Sequence, residues 1–316
     1  MENINFLLPE EAAEMTQTQV KLLRRLEQQL RQLFENSNYQ EVMPPNFEYV
    51  SLYNGLNTDF SQEKMFQFIN HEGESIALRY DFTIPLARAY ALSGSDEVAR
   101  YAYFGKVFRK EKRHKGRRTE SYQIGLELLG ATETDGDREC LTLTLKTIQQ
   151  LPIQPILLEL GSADFYRRII QLAGPELSQL LPKKDLTGIK NFVAEKQFPT
   201  AFSQLLSRIT VESDLEKLIQ LVEQTEDSEL LAAVHYLAKL SQNLPEAVID
   251  LSMVPEMQYY RGLIFKAYSD KVAQPLISGG RYDDLLLNFQ KRTYALGFCC
   301  HMDNVLKALE LEGQDA

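Results

Sequence analysis

Residues 103–130 read YFGKVFRKEKRHKGRRTESYQIGLELLG, a stretch in which a densely basic segment leads directly into an alternating strand pattern. Residues 101–111 and 120–130 have the composition of two strands, so the sequence predicts a β-hairpin with a long basic tip. Such a tip is unexpected because the formal net charge of the whole chain is -10. Three interpretations are open: a solvated loop, a contact for a phosphate ligand and a contact for nucleic acid.

The bulk composition is that of an ordinary soluble globular protein, with 316 residues of which 44% are hydrophobic and 25% charged. The length suffices for one large core with an insertion or for two domains. No stretch approaches the roughly 18 to 20 apolar residues of a membrane span, and the N-terminus lacks the pattern of a secretory signal. We therefore expect a cytoplasmic protein without membrane contact.

The cysteines and the overall charge exclude further classes of site. Cys140, Cys299 and Cys300 form no CxxC pair, so the sequence predicts neither a disulfide framework nor a metal site. The pI is near 5.1, whereas proteins that bind nucleic acid over an extended surface usually present a basic face. The composition therefore argues against extended contact with RNA or DNA.

The order of helical and strand patterns predicts an α+β fold. Residues 16–36 repeat apolar positions at helical spacing, and TIPLARAYAL (83–92) is a second, shorter helix. Strand patterns return at 247–280, and the last helix is expected after Gly297. We expect an antiparallel sheet flanked by helices.

An all-helical segment interrupts the strand patterns. It extends from 165 to 245, and residues 211–230 within it hold seven acids and one lysine, so its outer face is strongly negative. We therefore predict a core in two parts, 1–164 and 246–316, with 165–245 as a helical insertion.

Alternation along the second strand of the hairpin separates a polar face from an apolar one. Gln123, Gly125 and Glu127 share the polar face, and the apolar residues between them should pack on helices. Gln123 and Glu127 lie about 13 Å apart at roughly 3.3 Å per residue, and the surface between them is the floor of a candidate site. Arg109 can reach over this floor. This face is either a solvated surface with a bulge at Gly125 or a pocket for a small zwitterion, whose carboxylate an arginine binds.

Two further polar clusters support the pocket interpretation. Asp81 and Thr83 are expected on one face of a strand, although Asp81 can instead cap the helix that follows. Tyr259 and Tyr260 are expected on opposite faces of a strand, so that only one enters the site and the other is core.

The stretch SGGRYDDLL (278–286) is the last candidate cluster. Its two glycines are expected where the backbone turns or where a ligand approaches closely. Arg281 and Asp283 can simply pair with each other.

In this order, these stretches resemble histidyl-tRNA synthetase, a class II aminoacyl-tRNA synthetase, over nearly the whole chain. The matching segments are YQEVMPPNFE (39–48), EKMFQF (63–68), ALRYDFT (77–83), the hairpin 103–130, QYY (258–260), GGRYDDL (279–285) and ALGFCCHMDNVL (295–306). The resemblance implies the class II fold and a homodimer with Pro45 at its interface. It also implies that the basic loop derives from an ATP-covering loop, whose Lys115, Arg117 and Arg118 can contact a phosphorylated ligand or an acidic partner.

The resemblance further implies a pocket for L-histidine. Asp81, Thr83 and Gln123 would bind its α-ammonium group, and the family more often has Glu where Asp81 stands. Glu127 and Tyr260 would bind the imidazole nitrogens, and Arg109 would bind the carboxylate region. The predicted histidine-binding set is Asp81, Thr83, Arg109, Gln123, Glu127, Tyr259 and Tyr260.

The catalytic positions of the family are substituted. Pro255 stands where the family has a phosphate-stabilising arginine, and Gln258 where it has an aspartate. Ser121 replaces its adenine-stacking ring, and Thr119 replaces a neighbouring arginine. Asp303-Asn304 replaces its closing Glu-Arg pair. Removing one preorganised donor commonly costs about a hundred- to a thousand-fold in rate. We therefore expect no catalytic residues, no cofactor and no adenylation.

The chain ends 12 residues after Asn304, so we expect no anticodon-binding domain, and the acidic helical segment argues against tRNA as a partner. This profile resembles the regulatory subunits of ATP phosphoribosyltransferase, the first enzyme of histidine biosynthesis in some bacteria. That resemblance implies a hetero-oligomer with a short-form catalytic subunit and feedback by L-histidine. Two alternatives are a compact histidyl-adenylate-forming enzyme acting on a carrier or RNA, and a synthetase-like domain that senses uncharged RNA.

Overall fold

In this computed structural model, the described residues are 8, 12, 14–56, 62–110, 119–242, 244 and 246–313. Their strands are β1 (Gln40–Glu41), β2 (Phe47–Tyr49), β3 (Gln67–Ile69), β4 (Ser75–Leu78), β5 (Ala99–Phe108), β6 (Glu120–Leu129), β7 (Ile156–Ser162), β8 (Ala247–Ile249), β9 (Arg261–Ser269), β10 (Ile277–Arg281) and β11 (Ala295–His301). Their α-helices are α1 (Gln17–Asn36), α2 (Val50–Asn54), α3 (Thr83–Leu92), α4 (Glu133–Gln150), α5 (Ala163–Ala173), α6 (Leu177–Leu180), α7 (Leu186–Lys196), α8 (Thr200–Arg208), α9 (Leu215–Glu223), α10 (Ser228–Ser241), α11 (Asp283–Leu287) and α12 (Met302–Leu311).

Eight strands form one sheet in the order β1-β5-β6-β11-β10-β9-β7-β8, and three form a small sheet in the order β2-β4-β3. In the large sheet the six central strands, β5-β6-β11-β10-β9-β7, are antiparallel to one another. The edge strands β1 and β8 pair in parallel with β5 and β7. The predicted α+β architecture, an antiparallel sheet flanked by helices, is therefore confirmed, and the predicted hairpin is β5 and β6.

Helix α1 follows directly from its sequence pattern. Thr16 and Gln19 form a reciprocal capping box, which satisfies backbone N–H groups at the helix start. The apolar residues at helical spacing bury one stripe of the helix against the sheet, and the buried members are Leu22, Leu23, Leu26, Leu30 and Phe34. Burying such a side chain stabilises the fold by about 1.5–3 kcal/mol, so this stripe fixes the helix on the sheet.

The apolar side of β6 packs as its alternation predicts. Ile124, Leu126 and Leu128 are fully buried in the same core as the apolar residues of α1, α4 and α12. The opposite side of β6 is therefore free to carry polar residues, and this side holds the site described below.

Helices α5 to α10 occupy the range in which the sequence predicts only helices. Their buried residues, such as Leu205, Leu218 and Val234, belong to the same apolar cluster as those of the sheet. Because the core is continuous, the division into 1–164, 165–245 and 246–316 stays a prediction.

Two elements differ from expectation. Strand β4 ends at Leu78 and α3 begins at Thr83, so the prediction that Asp81 and Thr83 lie on one strand is wrong. The Ile84 N–H donates to Asp81 Oδ1 at 3.4 Å, which places Asp81 at the start of α3. The last helix does follow Gly297, but only after β11 has continued to His301.

Across the part of the chain that the structure describes, no helix has the length and apolar character needed to cross a bilayer.

Candidate functional site: a small polar cavity on the sheet

One face of the large sheet carries a cavity of about 160 Å³, to which β5, β6, β10 and β11 all contribute side chains. Its floor is set by strand register, because Glu127 pairs with Gly297 and Gln123 pairs with His301 across β6 and β11. Directly opposed residues of antiparallel strands project to the same face. Drug-sized ligands usually need roughly 300–1,000 Å³, so this cavity suits a ligand of amino-acid size.

Glu127 lies buried at one end of this floor. Thr83 Oγ1 donates to its Oε1 at 2.8 Å, and the Tyr282 hydroxyl donates to its Oε2 at 2.6 Å. Burial raises the pKa of Glu127 to about 8, although both hydrogen bonds oppose that shift. A Cβ at Gly297 would overlap the Glu127 carboxyl group, so the glycine allows the close approach of β11.

Asp81 presents an unsatisfied carboxyl oxygen to the cavity. Its side chain is almost fully buried, and its Oδ2 has no hydrogen-bond partner among the described residues. Burial raises the pKa of Asp81 to about 7, while the charge of Arg109 opposes the shift. A buried polar atom without a partner is costly, and a ligand ammonium group would satisfy it.

Arg109 and Gln123 line the same cavity. Arg109 Nε donates to the Tyr80 carbonyl oxygen at 3.0 Å, and its guanidinium carbon lies 4.7 Å from the centre of the Tyr80 ring. Gln123 is buried on β6, four residues before Glu127. The structure therefore brings the seven residues of the predicted histidine-binding set into one cavity, although their role as ligand contacts stays a prediction.

The prediction that only one of Tyr259 and Tyr260 enters the site is wrong. These residues precede β9 and lie in a turn rather than on a strand, so alternation does not apply to them. Both line the cavity, and their rings meet edge to face with centroids 5.4 Å apart.

Of the two expectations for the glycines of SGGRYDDLL, a backbone turn is wrong, and the close approach of a ligand stays a prediction. Gly279 and Gly280 lie within β10, and a Cβ at Gly279 would overlap the Phe265 ring. They therefore allow close packing between strands rather than a turn. The expected Arg281–Asp283 pair is present with Nη1–Oδ1 at 3.1 Å, and Arg281 also bonds Asp137.

The cavity residues that sequence reasoning missed include Tyr282, Ser278, Cys299 and His301. Ser278 Oγ lies 2.8 Å from His301 Nε2, and Cys299 Sγ lies 3.5 Å from the same nitrogen. For Cys299 and His301 the sequence does contain a signal, the alternation of β11, whose residues Leu296, Phe298 and Cys300 are buried on the other face. Reading residues 295–306 only as one motif concealed this strand.

Two of the substituted catalytic positions now bond backbone groups. The Tyr122 N–H donates to Asp303 Oδ2 at 2.9 Å, and Asn304 Nδ2 donates to the Pro275 carbonyl oxygen at 2.8 Å. Pro255 and Gln258 lie in the segment between β8 and β9. Neither side chain carries a positive charge that could bind a phosphate.

The basic tip of the hairpin lies outside the described residues, and with it Lys115, Arg117 and Arg118. Within the described ranges, no group of three or more His, Cys, Asp or Glu side chains is arranged to hold a metal ion.

A fold of this kind, an antiparallel sheet with flanking helices and a polar amino-acid-sized cavity on one face, is that of class II aminoacyl-tRNA synthetases. Residues 4–305 match the sequence profile of the family described as histidyl-tRNA synthetase. The solved structure of an ATP phosphoribosyltransferase regulatory subunit/histidyl-tRNA synthetase from Bacillus halodurans has a TM-score of 0.85. It is 23% identical and covers 98% of this chain and 84% of that one, which shows the shared fold.

Curated relatives narrow the family further. An ATP phosphoribosyltransferase regulatory subunit of Lactococcus lactis subsp. lactis is 52% identical over 319 residues, covering 98% of this chain and 97% of that protein. One from Lactococcus lactis subsp. cremoris is 55% identical over 318 residues, covering 98% and 99%. The chain belongs to the family of ATP phosphoribosyltransferase regulatory subunits, which is histidyl-tRNA synthetase-like.

Proposed function

We propose that this chain is a non-catalytic regulatory subunit that supports the first step of histidine biosynthesis and binds L-histidine as its feedback effector. The observation that carries the proposal is the cavity that Asp81, Gln123, Glu127 and Arg109 line, in a chain where other residues replace the family's catalytic ones. Membership of the regulatory-subunit family supports the same role.

The cavity offers a partner for each polar group of histidine. The α-ammonium group would bind Asp81, whose Oδ2 is a buried acceptor, together with Thr83 and Gln123. The imidazole would bind Glu127 and Tyr260. Arg109 would bind the carboxylate, since guanidinium and carboxylate pair well. Tyr259 would pack beside the ligand.

The absence of catalysis is part of the proposal. Adenylation needs cations placed where charge develops on the phosphates, and Pro255 and Asn304 offer none. Asn304 is instead tied to the Pro275 carbonyl oxygen. Exchange of pyrophosphate into ATP that depends on L-histidine would favour the alternative, a compact adenylate-forming enzyme, with which the retained amino-acid cavity is also compatible.

We further propose that two copies of the chain pair within a hetero-oligomer that also contains short-form catalytic subunits, in the cytoplasm and without tRNA. Pairing is supported by an exposed apolar face of the small sheet, which follows the segment that holds Pro45. Phe47 and Phe68 lie on this face, about half exposed, with their rings in edge contact. Histidine can shift the assembly only as far as its affinities for two conformations differ.

The experiment that tests the ligand assignment is calorimetric titration of the chain alone with L-histidine and, as controls, with other amino acids. We expect saturable one-site binding of L-histidine, lost when the carboxyl of Asp81 is removed by Asp81→Ala. Absence of binding to the wild-type chain, in the presence and in the absence of the catalytic subunit, would overturn the assignment.

A further inference from the structure

The end of the cavity opposite Glu127 is occupied by an imidazole that the proposed histidine contacts do not use. His301 pairs with Gln123 in the register of β11 and β6, so its side chain projects from the same face of the sheet. Glu127 lies four positions after Gln123, or about 13 Å along the strand. His301 therefore stands at the far end of the floor.

This imidazole is held in place. Its Nε2 lies 2.8 Å from Ser278 Oγ, and Ser278 is itself buried on the neighbouring strand β10. Both residues line the cavity. Burial lowers the pKa of His301 to about 4, so the ring is neutral at neutral pH. A neutral ring can be buried without the cost of desolvating a charge.

Arg109, the proposed partner of the ligand carboxylate, lines the same cavity as His301 and Cys299. The pKa of His301 is lowered chiefly by burial and further by the charge of Arg109, which agrees with this placement. With the ligand carboxylate on Arg109, the His301 ring would lie at the carboxylate end of the ligand.

We propose that His301, anchored by Ser278, is a specificity-determining residue that closes the cavity behind the ligand carboxyl group. The site then accepts a free amino acid and rejects derivatives extended at the carboxyl, such as bulky amides, esters and acyl adenylates. The small cavity volume agrees with this limit. The inference rests on the proposed function, since it assumes that the cavity binds histidine with its carboxylate toward Arg109.

The test compares two probes that both lack the carboxylate charge, L-histidinamide and the N-benzyl amide of L-histidine, by competition against L-histidine. Their affinity ratio reports only the room behind the carboxyl. We expect the wild-type chain to prefer histidinamide at least about tenfold, and His301→Ala to bring the ratio close to one. His301→Gln, which keeps a side chain of similar length, is the matched control and should retain the preference.

An unchanged ratio in a folded His301→Ala chain would overturn the inference alone. If that variant does not fold, Ser278→Ala releases the ring from its anchor and should reduce the ratio, and an unchanged ratio there would equally contradict the proposal. Failure of the wild-type chain to bind L-histidine is a separate outcome, which would remove the proposed function and this inference together.

Discussion

At the scale of single residues, the cavity is defined by two carboxyl groups that burial keeps from ionising fully. The pKa of Asp81 is raised to about 7 and that of Glu127 to about 8, both chiefly by burial. An ammonium group bound at Asp81 and an imidazole N–H donated to Glu127 would stabilise the charged carboxylates and lower both pKa values. Binding of L-histidine should therefore release protons from these two carboxyl groups.

Proton release gives a prediction for pH dependence. Because the pKa values of Asp81 and Glu127 are higher in the free chain than in the complex, affinity for L-histidine should rise from about pH 6.5 to about pH 8. The rise is at most about tenfold per pH unit for each proton released. Calorimetry in buffers of different ionisation enthalpy measures the protons directly, and Asp81→Asn should release fewer. Affinity that falls over this range would contradict the account.

A second prediction separates ligand binding from structure at Glu127. Glu127→Ala should weaken the response to histidine more than it weakens association with the catalytic subunit, because the carboxyl faces the cavity. The control is Glu223→Ala, an exposed acid on α9, which should change neither. Histidine inhibition curves and co-elution with the catalytic subunit measure the two effects. Equal loss of both would mean that Glu127 has a structural role.

The face on which a side chain lies could be predicted from the sequence where residues alternate along a strand. Gln123 and Glu127 were placed correctly because a strand gives each residue a definite face. Tyr259 and Tyr260 were not, because the turn before β9 has no such periodicity. For His301 the alternation of β11 is a local signal, whereas the contact between Ser278 and His301 joins two strands and is not visible in local sequence.

At the scale of elements, a buried ion pair joins the sheet to the helices behind it. Arg281 at the end of β10 is almost fully buried and donates from Nη2 to Asp137 Oδ1 on α4 at 2.5 Å. The Tyr236 hydroxyl of α10 donates to the other oxygen of the same carboxyl group. The adjacent residue, Tyr282, donates to Glu127, so this network adjoins the cavity.

This network yields a prediction of stability. Asp137→Ala leaves the buried guanidinium of Arg281 with only part of its partners and should lower the free energy of unfolding by about 3 kcal/mol. Tyr236→Phe removes one hydrogen bond and should lower it by about 1 kcal/mol. Urea unfolding with an unchanged m-value measures both. The double variant serves as the control, and strict additivity of the two losses would contradict coupling through Asp137.

The sequence predicted most elements because their periodicities are local. The helix at 16–36 and the hairpin at 101–130 each carry a clear pattern and a clear boundary signal, Thr16 and the basic tip. The predicted strand through Asp81 is wrong because β4 ends at Leu78, so the alternation of residues 78–83 falls on the connection to α3 and on the first residue of that helix. The edge pairings of β1 and β8, two and three residues long, are set by tertiary contact alone.

At the scale of the whole molecule, the proposed homodimer requires a surface, and the small sheet offers one. Phe47→Ser combined with Phe68→Ser should shift the chain toward the monomer, since both rings are about half exposed on one apolar face. Leu311→Ser, another exposed apolar residue on α12, is the control and should leave the mass unchanged. Light scattering after size exclusion measures the mass. A dimer that survives the double substitution would place the interface elsewhere.

The central claim is that this chain regulates a catalytic partner through histidine. Its most direct test is phosphoribosyl transfer to ATP by the short-form catalytic subunit, measured with and without this chain across a titration of L-histidine. We predict that activity requires the chain and declines as histidine rises, and that Asp81→Ala blunts the decline. Activity that is the same with and without the chain would contradict the account.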